Sequence, residues 1–139
     1  MAYEKSCGSV LYRIQDEELR VLIIRQKRNG NWSFPKGHVE ANETEYQTAV
    51  REVFEEVGIK IKIIEGFREV ISYNPKPSIK KDVVYFVANP SSQHVRMQKE
   101  EVSDYRWLRP AQALKSLTFD NDREVLNKAL SFLKENNMI

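Results

Sequence analysis

Three carboxylates at close spacing offer the clearest chemistry in the chain. Glu52, Glu55 and Glu56 stand at i, i+3 and i+4, and on a helix those spacings place side chains on one face. Like charges four apart on a helix repel by a few tenths of a kcal/mol. An ordinary solvated face would alternate Glu with Lys. A shared cation relieves the repulsion. Hard divalent cations such as Mg²⁺ take carboxylate oxygens and share their remaining positions with substrate phosphates. These residue types at this spacing therefore describe either a magnesium site for phosphate chemistry or a plain acidic surface.

The element that must carry them reads as a helix on independent grounds. Thr44 is a good N-cap, and Gln47 three residues on completes a capping box. Glu45 falls in the first turn, where the helix dipole favours an anion. Gly58 stands where a helix-ending glycine belongs. Between these signals Tyr46, Ala49, Val50, Val53, Phe54 and Val57 recur at helical spacing and predict the packed side. Glu52, Glu55 and Glu56 are expected on the opposite side.

The residues around the helix decide between the two readings. Gly37, five residues, Glu43, seven residues, Arg51-Glu52-Val53, one residue, Glu55-Glu56, one residue and Gly58-Ile59 reproduce every defined position of the Nudix box. The chain resembles a Nudix hydrolase. That resemblance implies an α/β/α sandwich around a central mixed sheet and a hydrolase acting on a nucleoside polyphosphate. It implies that Glu52, Glu55 and Glu56 serve catalysis as metal ligands, one of them a candidate for the base, with the Gly37 carbonyl as a further ligand. The cation it implies is Mg²⁺, or Mn²⁺ in its place. Glu43 and Arg51 become an ion pair bracing the loop against the helix, and Gly58 the helix stop. A further acidic ligand is expected from a later loop, where Glu101 is the matched position and Glu100 its neighbour. One departure stands out. The turn entering the box is Glu40-Ala41-Asn42-Glu43, where Pro-Gly is usual, so Asn42 is expected to take the positive φ.

The segment Trp32-Ser33-Phe34-Pro35-Lys36-Gly37-His38-Val39-Glu40 is similar to the entry of the box in asymmetric diadenosine tetraphosphate hydrolases. Glu65 to Glu69, Tyr73, Lys81, Val84-Tyr85 and Tyr105 to Leu108 extend that likeness over most of the chain. It implies phosphate contacts from His38 and Lys81, with Lys36 beside them. It also implies a base stacked on Tyr73, with Phe119 as the aromatic partner in a place commonly held by tyrosine. The expected partner is a nucleotide polyphosphate, diadenosine tetraphosphate split to ATP and AMP. Removal of pyrophosphate from a nucleoside triphosphate, or from an RNA 5′ end, uses the same helix and remains a second reading. A nucleotide sensor without turnover is a third, disfavoured because every carboxylate of the box is present.

The totals fit this picture. The chain has 139 residues, enough for one domain spanning 1–139 with a real core. Charged residues make up 30%, hydrophobic ones 41%, and the net charge is +2, too small to argue for nucleic acid by itself. There is no apolar leader at Met-Ala-Tyr-Glu-Lys and no run long enough to span a membrane, so a cytoplasmic protein is expected. Monomer and weak dimer both remain open. Cys7, the single cysteine, lies in an alternating stretch and reads as a small core residue.

The remaining elements follow in order. Strands are expected over 6–14 and 19–26, the second nearly continuous in Val21 to Ile24 and so buried on both faces. A strand region runs from Ile59 through Phe67, Glu69, Ile71 and Tyr73, and makes a hairpin with 82–88 across an Asn-Pro turn. A short strand at 105–108, a helix opened by Pro110 and a last helix over 122–134 complete an order of β-β-α-β-β-β-α-α.

Overall fold

The computed structural model describes residues 2–139. Seven strands, β1 (Ala2–Gln15), β2 (Glu18–Gln26), β3 (Trp32–Ser33), β4 (Lys36–His38), β5 (Ile61–Lys76), β6 (Ile79–Pro90) and β7 (Val102–Leu108), form one mixed sheet. The helices are α1 (Glu45–Val57), α2 (Pro110–Ser116) and α3 (Asp120–Glu135). The order agrees with the sequence reading except for β3 and β4. These two short strands lie in the segment leading to the box, and neither is long enough to show a period.

The long strand β1 organises the sheet. Ala2 to Leu11 pairs in parallel with β6, and Tyr12 to Gln15 pairs antiparallel with β2. β1 also pairs with β4, Cys7 lying opposite Gly37. β5 and β6 form the expected antiparallel hairpin. The turn between β1 and β2 holds both Asp16 and Glu17 at positive φ, the two-residue geometry whose twist matches the flanking strands.

Alternation along the strands separates two cores. Val21, Ile23, Val83, Tyr85 and Val87 pack with Leu117, Val125, Leu126, Ala129 and Leu133 of the α2–α3 side. Leu22 and Ile24 pack with Val53 and Val57 of α1, while Cys7, Val84 and Phe86 surround Ala49. Helices therefore cover both faces, the α/β/α sandwich expected. Val21 to Ile24 are all fully buried, as the continuous run implied. Cys7 is buried as a core residue, and burial pushes its thiol up to about 11.

The face of α1 corrects the sequence reading. Tyr46, Val50 and Phe54 are 41%, 38% and 41% exposed, whereas Glu56 is 2% exposed. The buried arc is Thr48, Ala49, Val53, Glu56 and Val57. The helix is rotated so that a carboxylate, rather than the full apolar stripe, faces inward. The reason is a hydrogen bond: the Lys36 backbone N–H donates to Glu56 Oε1 at 2.8 Å.

Candidate active site

The signals read from the box segment set α1 in place. Thr44 Oγ1 accepts from Gln47 N–H at 3.1 Å, and Gln47 Oε1 accepts from Thr44 N–H at 2.9 Å. This is the reciprocal capping box, in a class where an N-cap is worth about 1 kcal/mol. Gly58 ends the helix at φ 70°, its N–H donating to the Phe54 carbonyl. Asn42 takes φ 68°, as expected of the turn without proline and glycine. Arg68 forks onto Glu45 at 2.8 and 2.9 Å and ties the first turn of α1 to β5.

Arg51 holds the site together. It donates to both oxygens of Glu43 at 2.7 and 2.9 Å, forming the expected brace. It also donates to the His38 carbonyl at 2.9 Å, to Glu52 Oε1 at 2.6 Å and to Glu55 Oε2 at 3.1 Å. The guanidinium thus neutralises two carboxylates of the acidic face as well as bracing the loop. Its hydrogen bond pulls the Glu43 carboxyl down to about 2. The sequence pointed to the Glu43 pair but not to the contacts with Glu52, Glu55 and the His38 carbonyl.

The three glutamates differ in environment. Glu55 is exposed and Glu52 is partly buried. Burial raises the Glu52 carboxyl, and Arg51 opposes the rise. Burial pushes Glu56 up to about 8, against the pull of the Lys36 N–H, with the Glu52 and Glu101 charges adding to the rise. Glu101 is exposed in the loop before β7, anchored through its backbone to Gln98 and Lys27. Its charge reaches Glu52 and Glu56.

Gly37 lies directly against Glu52. A Cβ there would stand 1.8 Å from Glu52 Oε2 and 2.0 Å from its Cδ. Only glycine lets the carboxylate rest on the backbone. Among the described residues no three acidic or histidine side chains converge on one point; Arg51 bridges Glu52 and Glu55 instead. The donors offered along this face are all oxygens, the α1 carboxylates and the backbone of Gly37. That donor set fits a hard divalent cation.

Beside the acidic helix opens a cleft of about 480 Å³, lined by Arg28, Lys36, Tyr73, Lys81, Phe119 and Asp122 among others. Lys36 belongs to both features, its backbone bonded to Glu56 and its side chain facing the cleft. Lys81 Nζ lies 3.5 Å from His38 Nε2. Burial and then the Lys81 charge lower the His38 imidazole, while burial and the Lys36 charge lower Lys81. Such crowding of cations calls for an anion. Tyr73 and Phe119 face the cleft with exposed rings. The structure therefore brings together Lys36, His38, Lys81, Tyr73 and Phe119, from three strands and the residue preceding α3. Arg28 and Asp122 also line the cleft and were not singled out in the sequence. Asp122 stood there only as the start of the last expected helix.

Comparison with known proteins agrees with this geometry. The NUDIX domain profile matches residues 5–129. The asymmetrical bis(5′-nucleosyl)-tetraphosphatase of Sus scrofa is 34% identical, over 93% of this chain and 95% of that one. The NAD-capped RNA hydrolase NudC of Mannheimia succiniciproducens is 32% identical over 77% of this chain but only 41% of its own length. The crystal structure of a C. elegans Ap4A hydrolase binary complex superposes with a TM-score of 0.88 at 28% identity, covering 95% of this chain and 98% of that one. With the box intact and the match spanning nearly its whole length, the chain belongs to the Nudix family and is a Nudix hydrolase, an enzyme that cleaves a phosphoanhydride bond.

Proposed function

We propose that this enzyme hydrolyses a dinucleoside polyphosphate, with diadenosine tetraphosphate split to ATP and AMP. One observation carries the reading: Tyr73 and Phe119 face one cleft that Lys36 and Lys81 also line, and the Lys36 backbone is bonded to Glu56 of the acidic helix. A stacking platform next to a cationic rim and a carboxylate cluster suits a nucleoside whose phosphate chain runs toward the glutamates. The 34% identity to an asymmetrical tetraphosphatase over nearly the full length supports the same substrate class.

In this reading residues 1–139 work as one domain. Glu52, Glu55 and Glu56, with the Gly37 carbonyl and Glu101, hold Mg²⁺ or Mn²⁺. When bound, the cation neutralises phosphoryl oxygens and lowers the pKa of an attacking water. The chain's own residues do the rest. Lys36, His38 and Lys81 bind and orient the phosphates. His38 sits beside Lys81 and offers the phosphates a ring N–H donor. Tyr73 and Phe119 clamp the base. Arg51 and Glu43 hold the loop and helix in register.

The test is a substrate panel with Mg²⁺: diadenosine tetraphosphate, 8-oxo-dGTP, ATP and a 5′-triphosphorylated RNA, products being separated by anion exchange. ATP plus AMP from the first, well above the other rates and abolished by a chelator, is the expected result. The likeness to an NAD-capped RNA hydrolase favours a second reading on nucleoside triphosphates or RNA 5′ ends. Pyrophosphate or monophosphate release from those substrates at the highest rate would establish it in place of the first.

A further inference from the structure

Arg28 brings a guanidinium to the cleft wall from a braced turn. It stands between β2 and β3, where Gln26 N–H donates to the Asn31 carbonyl and Gly30 N–H to the Gln26 carbonyl, both at 2.8 Å. Asn31 N–H donates to Asn29 Oδ1 at 2.9 Å, and Gly30 takes φ 74° to complete the reversal. The turn is also tied to the loop that carries Glu101, since Lys27 N–H donates to the Glu101 carbonyl at 2.8 Å. Arg28 is thereby held between that loop and the cleft lined by Lys36, Lys81, Tyr73 and Phe119. Its neighbour Arg25 donates to the Gly30 carbonyl. Arg28 is exposed, and among the described residues it makes no ion pair and no side-chain hydrogen bond. Burial is the largest influence on the ionisation of His38, Lys81 and Tyr73, yet the Arg28 charge pulls all three downward. Among the described residues it is the one cation that bears on Tyr73. Arg28 therefore stands at the step between the phosphate-binding cations and the aromatic pair.

We propose that Arg28 is a specificity-determining residue that grips the phosphate joined to the nucleoside held between Tyr73 and Phe119. This rests on the reading of the cleft as a nucleotide site. The chemistry selects that phosphate. A guanidinium offers a planar fork that fits two phosphate oxygens at once, whereas an ammonium acts as a point charge. Lys36 and Lys81 are of the second kind, and the Lys36 backbone is bonded to Glu56 at the acidic end of the cleft. Stacking on Tyr73 and Phe119 holds a free nucleoside and a nucleotide alike. A fork beside the aromatic pair adds the distinction that stacking lacks. It rewards a 5′-phosphate on the clamped nucleoside and sets the direction in which the phosphate chain leaves toward the glutamates.

The test measures binding of AMP and of adenosine to the full chain by calorimetry at low salt, in wild type, Arg28→Leu and Arg28→Lys. A chelator is present, so that no metal holds the phosphate. Wild type should bind AMP more than about tenfold more tightly than adenosine. In Arg28→Leu that preference should shrink by about tenfold, with adenosine within about twofold of wild type and the thermal midpoint unchanged. Arg28→Lys keeps the charge without the fork and should restore the preference only in part. With diadenosine tetraphosphate and Mg²⁺, Arg28→Leu should raise KM by about tenfold and move kcat far less. Unchanged AMP preference in Arg28→Leu, an equal loss of AMP and adenosine, full recovery by lysine, or no binding of either ligand to wild type would overturn the proposal. A fall in kcat at constant KM would assign Arg28 to the phosphorus under attack and also overturn it. An AMP preference lost through Arg28 in a chain that fails to cleave diadenosine tetraphosphate would leave this proposal standing and remove the substrate reading. Cleavage of that substrate with the AMP preference intact in Arg28→Leu would do the reverse.

Discussion

Glu56 concentrates the electrostatics of the site in one side chain. Its folded carboxyl titrates at about 8 against 4.5 in an ordinary setting. A group whose pKa is raised on folding favours the folded state in its protonated form. Its contribution is therefore fully present below pH 4.5 and is lost as pH rises through 8. Metal-free protein should show a thermal midpoint that falls between pH 5 and 8.5, and Glu56→Gln should flatten that fall. The same substitution should lower turnover by on the order of 10²-fold or more with the fold intact. Turnover near the wild-type level would defeat the assignment of the carboxylate cluster. Arg51 is the second focus, because a lysine cannot reproduce its fork on Glu43 together with its bonds to Glu52, Glu55 and the His38 carbonyl. Arg51→Lys should cost about 1–3 kcal/mol of stability by denaturant titration. A change within error would mean that the network is ornamental.

At the level of elements, α1 and β4 form one device. β4 pairs with β1 and places Gly37 where Glu52 rests on it. Gly37→Ala meets the far end of a side chain rather than backbone, so the fold should tolerate it while Glu52 swings away. The expected outcome is a thermal midpoint within a few degrees of wild type and a marked loss of Mn²⁺ affinity, read by paramagnetic relaxation. Unchanged Mn²⁺ affinity would remove Glu52 and Gly37 from the metal site. The capping box of Thr44 and Gln47 keeps the helix start, and hence the phase of every glutamate, in place.

The cleft belongs to the whole molecule. Tyr73 comes from the hairpin strand β5, Phe119 caps α3, Lys36 comes from β4 and Lys81 from β6. Tyr73→Ala and Phe119→Ala should each weaken nucleotide binding by roughly 1–3 kcal/mol, seen as a raised KM with kcat far less affected. If both variants kept the wild-type KM, the base would bind elsewhere. The cleft draws on β4, β5, β6 and the start of α3, and it joins α1 through the Lys36 backbone bonded to Glu56.

By itself the sequence determined whatever is local or periodic. The helix between Thr44 and Gly58, the positive φ at Asn42 and the buried run Val21 to Ile24 were all legible, because capping, turn chemistry and alternation act over a few residues; the Glu43–Arg51 pair was legible only through the resemblance to the Nudix box. The box glutamates were legible as one group from their spacing. Tertiary structure alone decided which of them is buried. Helical spacing made Tyr46, Val50 and Phe54 part of the packed side and Glu56 part of the solvated one, and the fold placed Glu56 inside instead. The reason is a donor that no helical period can reveal: the backbone N–H of Lys36, twenty residues earlier in the chain. The same holds for Asp122, which the packing of α3 against the sheet buries beside the Tyr85 hydroxyl.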